Sequence, residues 1–573
     1  MFFNFKVKIP EAPGKLVRKK RNGSTFIEFE YARKYDPIKQ YTYPKRASIG
    51  RVDPENPDMM NPNENFLKYF PDAKLPKELD RTSRSPYLNI GAYIVLEKLI
   101  QECKLREIME QFMNSKDVGL LLDLACYSIL TESNASQYYP DYAYCHPLFT
   151  HNMKVYSDSK VSDFLHTLHP EQTVGFLNTW NEERNHREKI YISYDSTNKS
   201  CQAGDIDMVE FGHPKVDEGQ PVFNYSLAYD TANKEPLFYE QYPGSVNDVS
   251  QLKCAVDKAY SYGYRKLGFI LDRGYFSRSN LSYMDKNDYS FVIMVKGMKS
   301  FIRGVILETI GGFENRRAKY IDRYDVYGTT LKKPLYEGDD RKRNIHLYYS
   351  DVKALKKKQA VKDKIRRMKR YAERYAGKEA SFGDVIEEYF YIHYEDDGIT
   401  FKIAEERTDV IENELSLCGY YAIITSENMT AKEAINLYKS RDTSEKLFRG
   451  DKTYLGNRTL RVSGGDAASA KIFIEFIALI LRCRIYTKLK EKYETMNEKP
   501  NYLTVPAALK ELEKVVMIRQ LDGVYRLDHA VTKHAKVVLG AFELTEAAVK
   551  RKSEKIGEKL YRIMNYSEEM INE

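Results

Sequence analysis

Between Lys189 and Val295 the chain breaks into short apolar runs: Ile190 to Tyr194, Phe223 to Tyr229, Pro236 to Gln241, Leu267 to Leu271 and Phe291 to Val295. Helical spacing intervenes after Asn247 and after Ser277. Runs this short suit strands. Strands joined directly, then strands separated by helices, imply a sheet that is part antiparallel and part parallel, covered by helices. The expected fold class is therefore α/β. Two acids stand out in this region. Asp195 follows Tyr191-Ile192-Ser193-Tyr194, and Asp272 follows Leu267-Gly268-Phe269-Ile270-Leu271, just before Arg273-Gly274-Tyr275. Carboxylates emerging from the ends of neighbouring strands converge, and such oxygen donors hold hard divalent cations. A pair of cations roughly 4 Å apart can activate water and stabilise the leaving oxygen of a phosphodiester. A lone strand-ending Asp more commonly caps a turn or helix, as Asp230 and Asp248 are expected to do.

At 573 residues the chain is long enough for several cores, and its 42% hydrophobic and 30% charged residues fit a globular protein. The most apolar stretches, Gly119 to Leu130 and Ile472 to Leu481, are interrupted by Asp123 and Glu475 and are too short to span a bilayer. The first residues lack the long apolar run of a signal peptide, so the expected location is the cytoplasm. Seven scattered cysteines with no Cys-x-x-Cys pair argue against a disulfide framework and a zinc ribbon. His166 and His169, three apart, read as surface histidines on a helix rather than metal ligands.

Charge is unevenly distributed. Residues 1–50 hold twelve Lys or Arg against four acids, which alone equals the net +8 of the whole chain. Within this segment Thr25 to Tyr31 alternates as a strand, and a basic, aromatic-edged sheet of this kind either grips phosphates or forms a solvated arm. A second basic run, Val352 to Arg370, holds ten Lys or Arg and one acid, Asp363. Lys356, Lys357, Arg366 and Arg367 in this run are candidate DNA contacts, against the alternative of a solvated helix face.

The chain divides into a basic β-rich N-terminal region and linker (1–85) and a helical domain for DNA binding or dimerisation (86–185). The first part of the core follows (186–299), then a β-rich insertion with a basic helix (300–415), the second part of the core (416–495) and a C-terminal helical region (496–573). In the second core part, Thr430 and Glu433 have the spacing of a capping box. Downstream of them Tyr438, Arg441, Glu445 and Lys452 fall within about 60° of one another on a helix. Spacing alone would also suit a surface ion pair between Arg441 and Glu445.

Tyr438-x2-Arg441-x3-Glu445-x6-Lys452 resembles the Y-R-E-K signature of bacterial insertion-sequence transposases with a DDE active site, the insertion-sequence-four-like superfamily. Asp195 in Tyr-Asp-Ser-Thr and Asp272 in Asp-Arg-Gly-Tyr-Phe resemble that family's first two acids. The resemblance spans about residues 186 to 490. It implies a ribonuclease H-like catalytic core split by a β-rich insertion, with helical flanking domains; 173 positions separate Asp272 from Glu445, room enough for that insertion. It implies that Asp195, Asp272 and Glu445 bind two Mg²⁺ ions, with Mn²⁺ able to substitute. Tyr438, Arg441 and Lys452 would then hold the DNA backbone, with Arg273 a further DNA contact. The implied activity is cut-and-paste transposition: hydrolysis at the transposon ends, then strand transfer to target DNA. The implied partners are the terminal inverted repeats, target DNA and a second copy of the chain as a homodimer on DNA. No membrane is involved, and the cytoplasmic protein would associate with the bacterial nucleoid when bound to DNA. The competing readings are a metal-dependent endonuclease without strand transfer and a domesticated DNA-binding protein that no longer cuts. Some relatives stack a flipped base on a Trp of the insertion; the only Trp here, Trp180, precedes the first Asp.

Overall fold

A computed structural model describes residues 2–75, 84–184, 189–201, 206–210, 221–246, 248–336, 338–339, 341–442, 459–460, 462, 464–498 and 500–565. The chain forms two compact units, one from Met1–Phe176 and Ser463–Glu573, the other from Leu177–Gly450 and Arg458–Val462.

The first unit begins with an antiparallel sheet of β1 (Val7–Lys8), β2 (Leu16–Arg21), β3 (Ser24–Asp36), β4 (Tyr41–Val52) and β5 (Met59–Pro62), in the order β1-β5-β4-β3-β2. Val7, Ile27, Ile49 and Met60 bury against Phe66, so one end of the sheet has a core. The strand expected over Thr25 to Tyr31 runs on to Asp36, because β4 supplies ladder partners beyond the core. The helices Gly91–Glu102, Ser115–Thr131, Gly465–Glu494 and Glu546–Asn565 share this unit, and β6 (Tyr87–Asn89) pairs with β19 (Val516–Arg519), itself paired with β20 (Tyr525–Leu527). Segments 86–185 and 496–573, separate in the sequence reading, thus meet here for most of their length. The helix Gly465–Glu494 also belongs to this unit, so the stretch 416–495 is divided between the two. It is buried on every side from Ile472 to Leu481, where Glu475 alone is not apolar, and a helix so nearly apolar all round must be enclosed by others. Asp123, buried in the helix Ser115–Thr131, accepts the backbone N–H groups of Phe149 and Thr150 at 2.7 and 3.0 Å.

The second unit is a mixed α/β domain on one large sheet. Its order is β12-β13-β14-β17-β11-β10-β7-β8-β9. The strands are β7 (Ile190–Cys201), β8 (Val222–Asp230), β9 (Glu235–Pro243), β10 (Leu267–Leu271), β11 (Ser290–Met294), β12 (Tyr320–Ile321), β13 (Val326–Pro334), β14 (Lys342–Tyr349) and β17 (Tyr420–Thr425). β18 (Thr459–Leu460) adds parallel to the far end of β7. The meander β7-β8-β9 is antiparallel, β7-β10-β11 is parallel, and β11-β17-β14-β13 is antiparallel again. Asp230 closes the β8–β9 turn by accepting from the N–H groups of Ala232 and Asn233.

Residues 300–415 are less β-rich and less separate than their sequence pattern implies. β13 and β14 join the main sheet, where the apolar positions Ile345 and Leu347 are fully buried. The remainder is led by a 23-residue helix, Asp351–Glu373, packed on the hairpin of β15 (Phe390–Tyr394) and β16 (Phe401–Glu406). Ile365, Ala372, Phe382 and Phe401 form its own small core. Among the described residues, no helix is long and apolar enough to cross a membrane.

His346 on β14 is fully buried and its ring bridges two neighbouring strands. Thr425 Oγ1 donates to the Glu427 carbonyl, which leaves it to accept from His346 Nε2–H at 2.9 Å. His346 Nδ1 then accepts the Thr330 hydroxyl, also at 2.9 Å. Burial drives the imidazole pKa down to about 4. A folded-state pKa below the unfolded value makes stability fall as pH drops from about 6.5 toward 4, since the unfolded chain then binds the extra proton. His346→Gln should destabilise this unit at pH 7, and its gap from wild type should narrow by on the order of 2 kcal/mol at pH 4.5, read by urea unfolding. A gap independent of pH would mean that the ring is not held neutral.

Candidate active site

The two strand-borne acids are positioned by the parallel register of β7 and β10. Ile190 to Tyr194 pair in order with Leu267 to Leu271, so Asp195 and Asp272 are the next residues on adjacent strands. Adjacent strands lie about 4.8 Å apart, close enough for two carboxylates to face a shared cation. β10 ends at Leu271, whereas β7 continues through Asp195 to Cys201 because β8 still pairs with it. Asp195 therefore lies within a strand, not after one as its sequence context suggests. Its Oδ1 accepts the N–H of Ser196 at 2.9 Å. On the opposite face of β7, the Tyr194 hydroxyl donates to Glu240 at 2.9 Å, accepts from Ser226 at 2.8 Å and fixes the strand from behind.

The helix Ala431–Ser440 crosses this part of the sheet. It starts at the expected capping box: Thr430 Oγ1 accepts the Glu433 N–H, and the Glu433 carboxylate accepts the Thr430 N–H. Ala431, Ile435 and Tyr438 bury in a cluster with Ile270, Val292 and Ile423. Tyr438 is thus on the sheet side of the helix, only 4% exposed. Arg441 forms the C-cap, and its Nη1 lies 3.0 Å from Asp272 Oδ1. The Arg441 guanidinium is 5.1 Å from the centre of the Tyr438 ring. Arg441 therefore links two other predicted residues, Asp272 and Tyr438, and the register of β7 and β10 puts Asp195 next to Asp272. Glu445 and Lys452 lie outside the described residues.

Whether this site fits a divalent cation can be judged from its donors. Two carboxylates on adjacent strands are hard oxygen ligands, and the one at Asp272 already attracts a positive group, the Arg441 guanidinium. The residues present fit. Among the described residues no group of three or more His, Cys, Asp or Glu could hold a metal ion.

Next along the chain from Asp272, Arg273 lines a cleft of about 960 Å³ together with Arg303, Lys353 and Lys357 and two acids, Glu388 and Glu414. The Lys353 ammonium sits 3.8 Å above the Tyr421 ring. Lost hydration, then Lys439 and Lys357, push its pKa down. Crowded cations of this kind favour an anionic ligand. Lys353 was not singled out in the sequence; its only signal was its place at the start of the basic run. Of the residues picked from that run, Lys356, Lys357, Arg366 and Arg367 are all exposed, and Arg366 pairs with Asp363 at 3.2 Å. Lys356 and Arg367 lie about 20° apart around the helix. Lys199, which side-chain alternation puts on the same face of β7 as Asp195, is fully buried over the Tyr225 ring at 4.6 Å and was also missed. A Lys in the middle of a strand pattern carries no distinguishing mark in sequence. His166 and His169 are exposed. Trp180 is buried, with its indole N–H donated to the Pro236 carbonyl at 3.0 Å and Arg184 stacked on its ring.

A mixed α/β domain with one acid on a strand, a second just past the end of its parallel neighbour, and four cations in the cleft alongside suits an enzyme that handles phosphodiesters. The family model described as the transposase DDE domain matches residues 192–481, slightly more than half of the chain, and the chain belongs to that family. Its members are nucleic-acid-cleaving and -joining enzymes that act on DNA and generally use divalent metal ions. Among solved structures, the chain is similar to a piggyBac transposase synaptic complex with hairpin DNA, determined by cryo-electron microscopy. The TM-score is 0.34 and the identity 9%, over 84% of this chain and 81% of that chain. Comparison with curated proteins returns no match.

The Arg441–Asp272 contact is testable in the free protein. Asp272 is about one-third exposed, so solvent screens the pair. A double-mutant cycle of Arg441→Gln and Asp272→Asn should give a coupling of about 0.5–1.5 kcal/mol by urea unfolding. Strict additivity would mean that the two do not interact in solution.

Proposed function

We propose that the chain is a DNA transposase of the insertion-sequence-four-like Y-R-E-K group, of bacterial origin, that moves an insertion sequence by cut-and-paste transposition. The observation carrying this reading is the adjacency of Asp195, on β7, and Asp272, just past the end of its parallel neighbour β10, within the family-matched stretch. The β7-to-β11 arrangement is taken as a ribonuclease H-like core, interrupted before its last acid. Asp195, Asp272 and Glu445 would hold two Mg²⁺ ions, with Mn²⁺ as a substitute. Bound there, the ions would supply positive charge that activates water and stabilises the leaving oxygen. Arg441 offers the scissile strand a bidentate contact, Lys452 a point charge, and Arg273 a charge at the mouth of the cleft. Tyr438, buried beneath Arg441, acts in this reading by orienting the guanidinium as well as through its hydroxyl. The substrates are the terminal inverted repeats and target DNA, bound by a homodimer in the bacterial cytoplasm and at the nucleoid.

Asp195→Ala, Asp272→Ala and Glu445→Ala should each abolish Mg²⁺-dependent cleavage of end-containing duplex while leaving end binding within a few-fold of wild type. Near wild-type cleavage by any of them removes that residue from the triad. Joining of the cleaved ends to a target plasmid separates a transposase from an endonuclease, and absence of cleavage by wild type would favour a domesticated binding protein. Neutralising Lys356, Lys357, Arg366 and Arg367 should weaken binding to all duplexes and flatten its salt dependence by up to about 0.9 in log-log slope per lost phosphate contact. An unchanged slope would leave that helix face merely solvated.

A further inference from the structure

β3 and β4 outrun their own sheet. Beyond Glu30 and Arg46 they continue as a two-stranded ribbon, with Ala32 paired to Lys45, Lys34 to Tyr43 and Asp36 to Tyr41. The core residues of this sheet, Ile27 and Ile49, lie before the ribbon begins, and nearly every residue from Tyr31 to Arg46 is exposed. The tip is ordered by Asp36, whose carboxylate accepts the N–H groups of Ile38 and Lys39. An isolated hairpin of this kind is marginal in water. This one nevertheless presents large apolar surface, with Tyr35 57% and Tyr41 51% exposed.

Cross-strand partners share a face, so the register sorts the charges. Arg33 and Arg46 are held at the base by the buried Glu30 carboxylate, at 2.7 and 3.5 Å. Lys34 and Lys45 lie on one face together with Tyr41 and Tyr43, and Lys39 is at the tip. Among the described residues, none of these three lysines has an ion-pair partner. From Tyr31 to Arg46 there are five cations and one acid. Two copies of so basic an arm would repel each other, which disfavours self-association as its purpose.

We infer that this ribbon is a DNA-binding arm that lies in a groove of duplex DNA, with Lys34, Lys39 and Lys45 on phosphates and the tyrosine face toward the groove. The major groove, about 12 Å wide, admits a two-stranded ribbon. Six residues per strand reach about 20 Å along it. Aromatic hydroxyls and rings suit sugar and base edges, whereas unpaired lysines suit the backbone. The inference rests on the reading of the chain as a DNA enzyme. It assigns duplex contact to the N-terminal sheet, which belongs to a different unit from the proposed catalytic acids.

The test uses the full chain with two fluorescent duplexes of one length, one carrying the element's terminal repeat and one shuffled, titrated between 50 and 200 mM salt. One variant is Lys34→Ala with Lys45→Ala, which alters only exposed side chains. A second replaces residues 33–44 by Asn-Gly, joining the register partners Ala32 and Lys45. The double substitution should weaken binding on the order of tenfold and lower the log-log salt slope by up to about 1.8, two phosphate contacts. The shortened chain should lose hydroxyl-radical protection over part of the wild-type footprint. If wild type binds and cleaves but both variants keep its affinity, slope and footprint, the ribbon is not a DNA arm and the enzyme reading stands. If wild type binds neither duplex, both readings fall.

Discussion

The register between β7 and β10 is the constraint on which the site depends. Parallel pairing of Ile190–Tyr194 with Leu267–Leu271 brings two carboxylates, 77 positions apart in the chain, onto adjacent strands. A slip of one residue would send the side chains of one strand to the opposite faces and point one acid to the wrong face. Several contacts resist such a slip. Tyr194 is bonded to Ser226 and Glu240 behind the sheet, and Lys189, Tyr191, Ser290 and Glu427 form a polar knot at the opposite end of the same strands. Gly268 has a steric reason too: a Cβ there would lie 2.4 Å from the Tyr191 ring.

Electrostatics follow from that placement. Two neighbouring acids repel, and a nearby cation offsets the cost. Arg441 supplies it at the end of a helix seated by Ala431, Ile435 and Tyr438, so the packing of an apolar helix face sets the distance of a charge. On the other side of Asp272 the balance is reversed. Lys353, Lys357 and Lys439 crowd together, and lost hydration first, then these two neighbours, make Lys353 hold its proton less tightly. The unit thus sets an acidic spot against a basic cleft, as a phosphodiester requires if its own charge is to be neutralised near the groups that act on it.

Much of this was legible in sequence because it depends on local pattern. Short apolar runs gave the strands flanking Asp195 and Asp272, and Thr430 with Glu433 marked the helix that carries Arg441. What local pattern cannot give is partnership. β13 and β14 looked like part of an insertion, yet they complete the main sheet, since an alternating strand does not name its neighbour. The helix Gly465–Glu494 falls within the core stretch 416–495 in sequence but packs in the other unit, because a helix whose middle is mostly apolar on every face joins whichever helices can enclose it. Tyr438 fell on a common face with Arg441 by angle, but angle does not say which edge of that face meets the sheet. Lys199 and Lys353 had no motif, and only burial or an aromatic neighbour distinguishes them.

β17 sits between β11 and β14 and pairs with both, although it is made more than a hundred residues after β11. Until it emerges, each of those strands exposes an open edge capable of pairing with other chains. Loop closure across that distance is slow compared with helix formation. The sheet that frames the acids is therefore completed late in synthesis, by an apolar strand, Tyr-Tyr-Ala-Ile-Ile-Thr, that has little other place to go. A chain interrupted before residue 420 would lack more than its last segment: it would be an unsealed sheet, prone to aggregate and lacking a framed site.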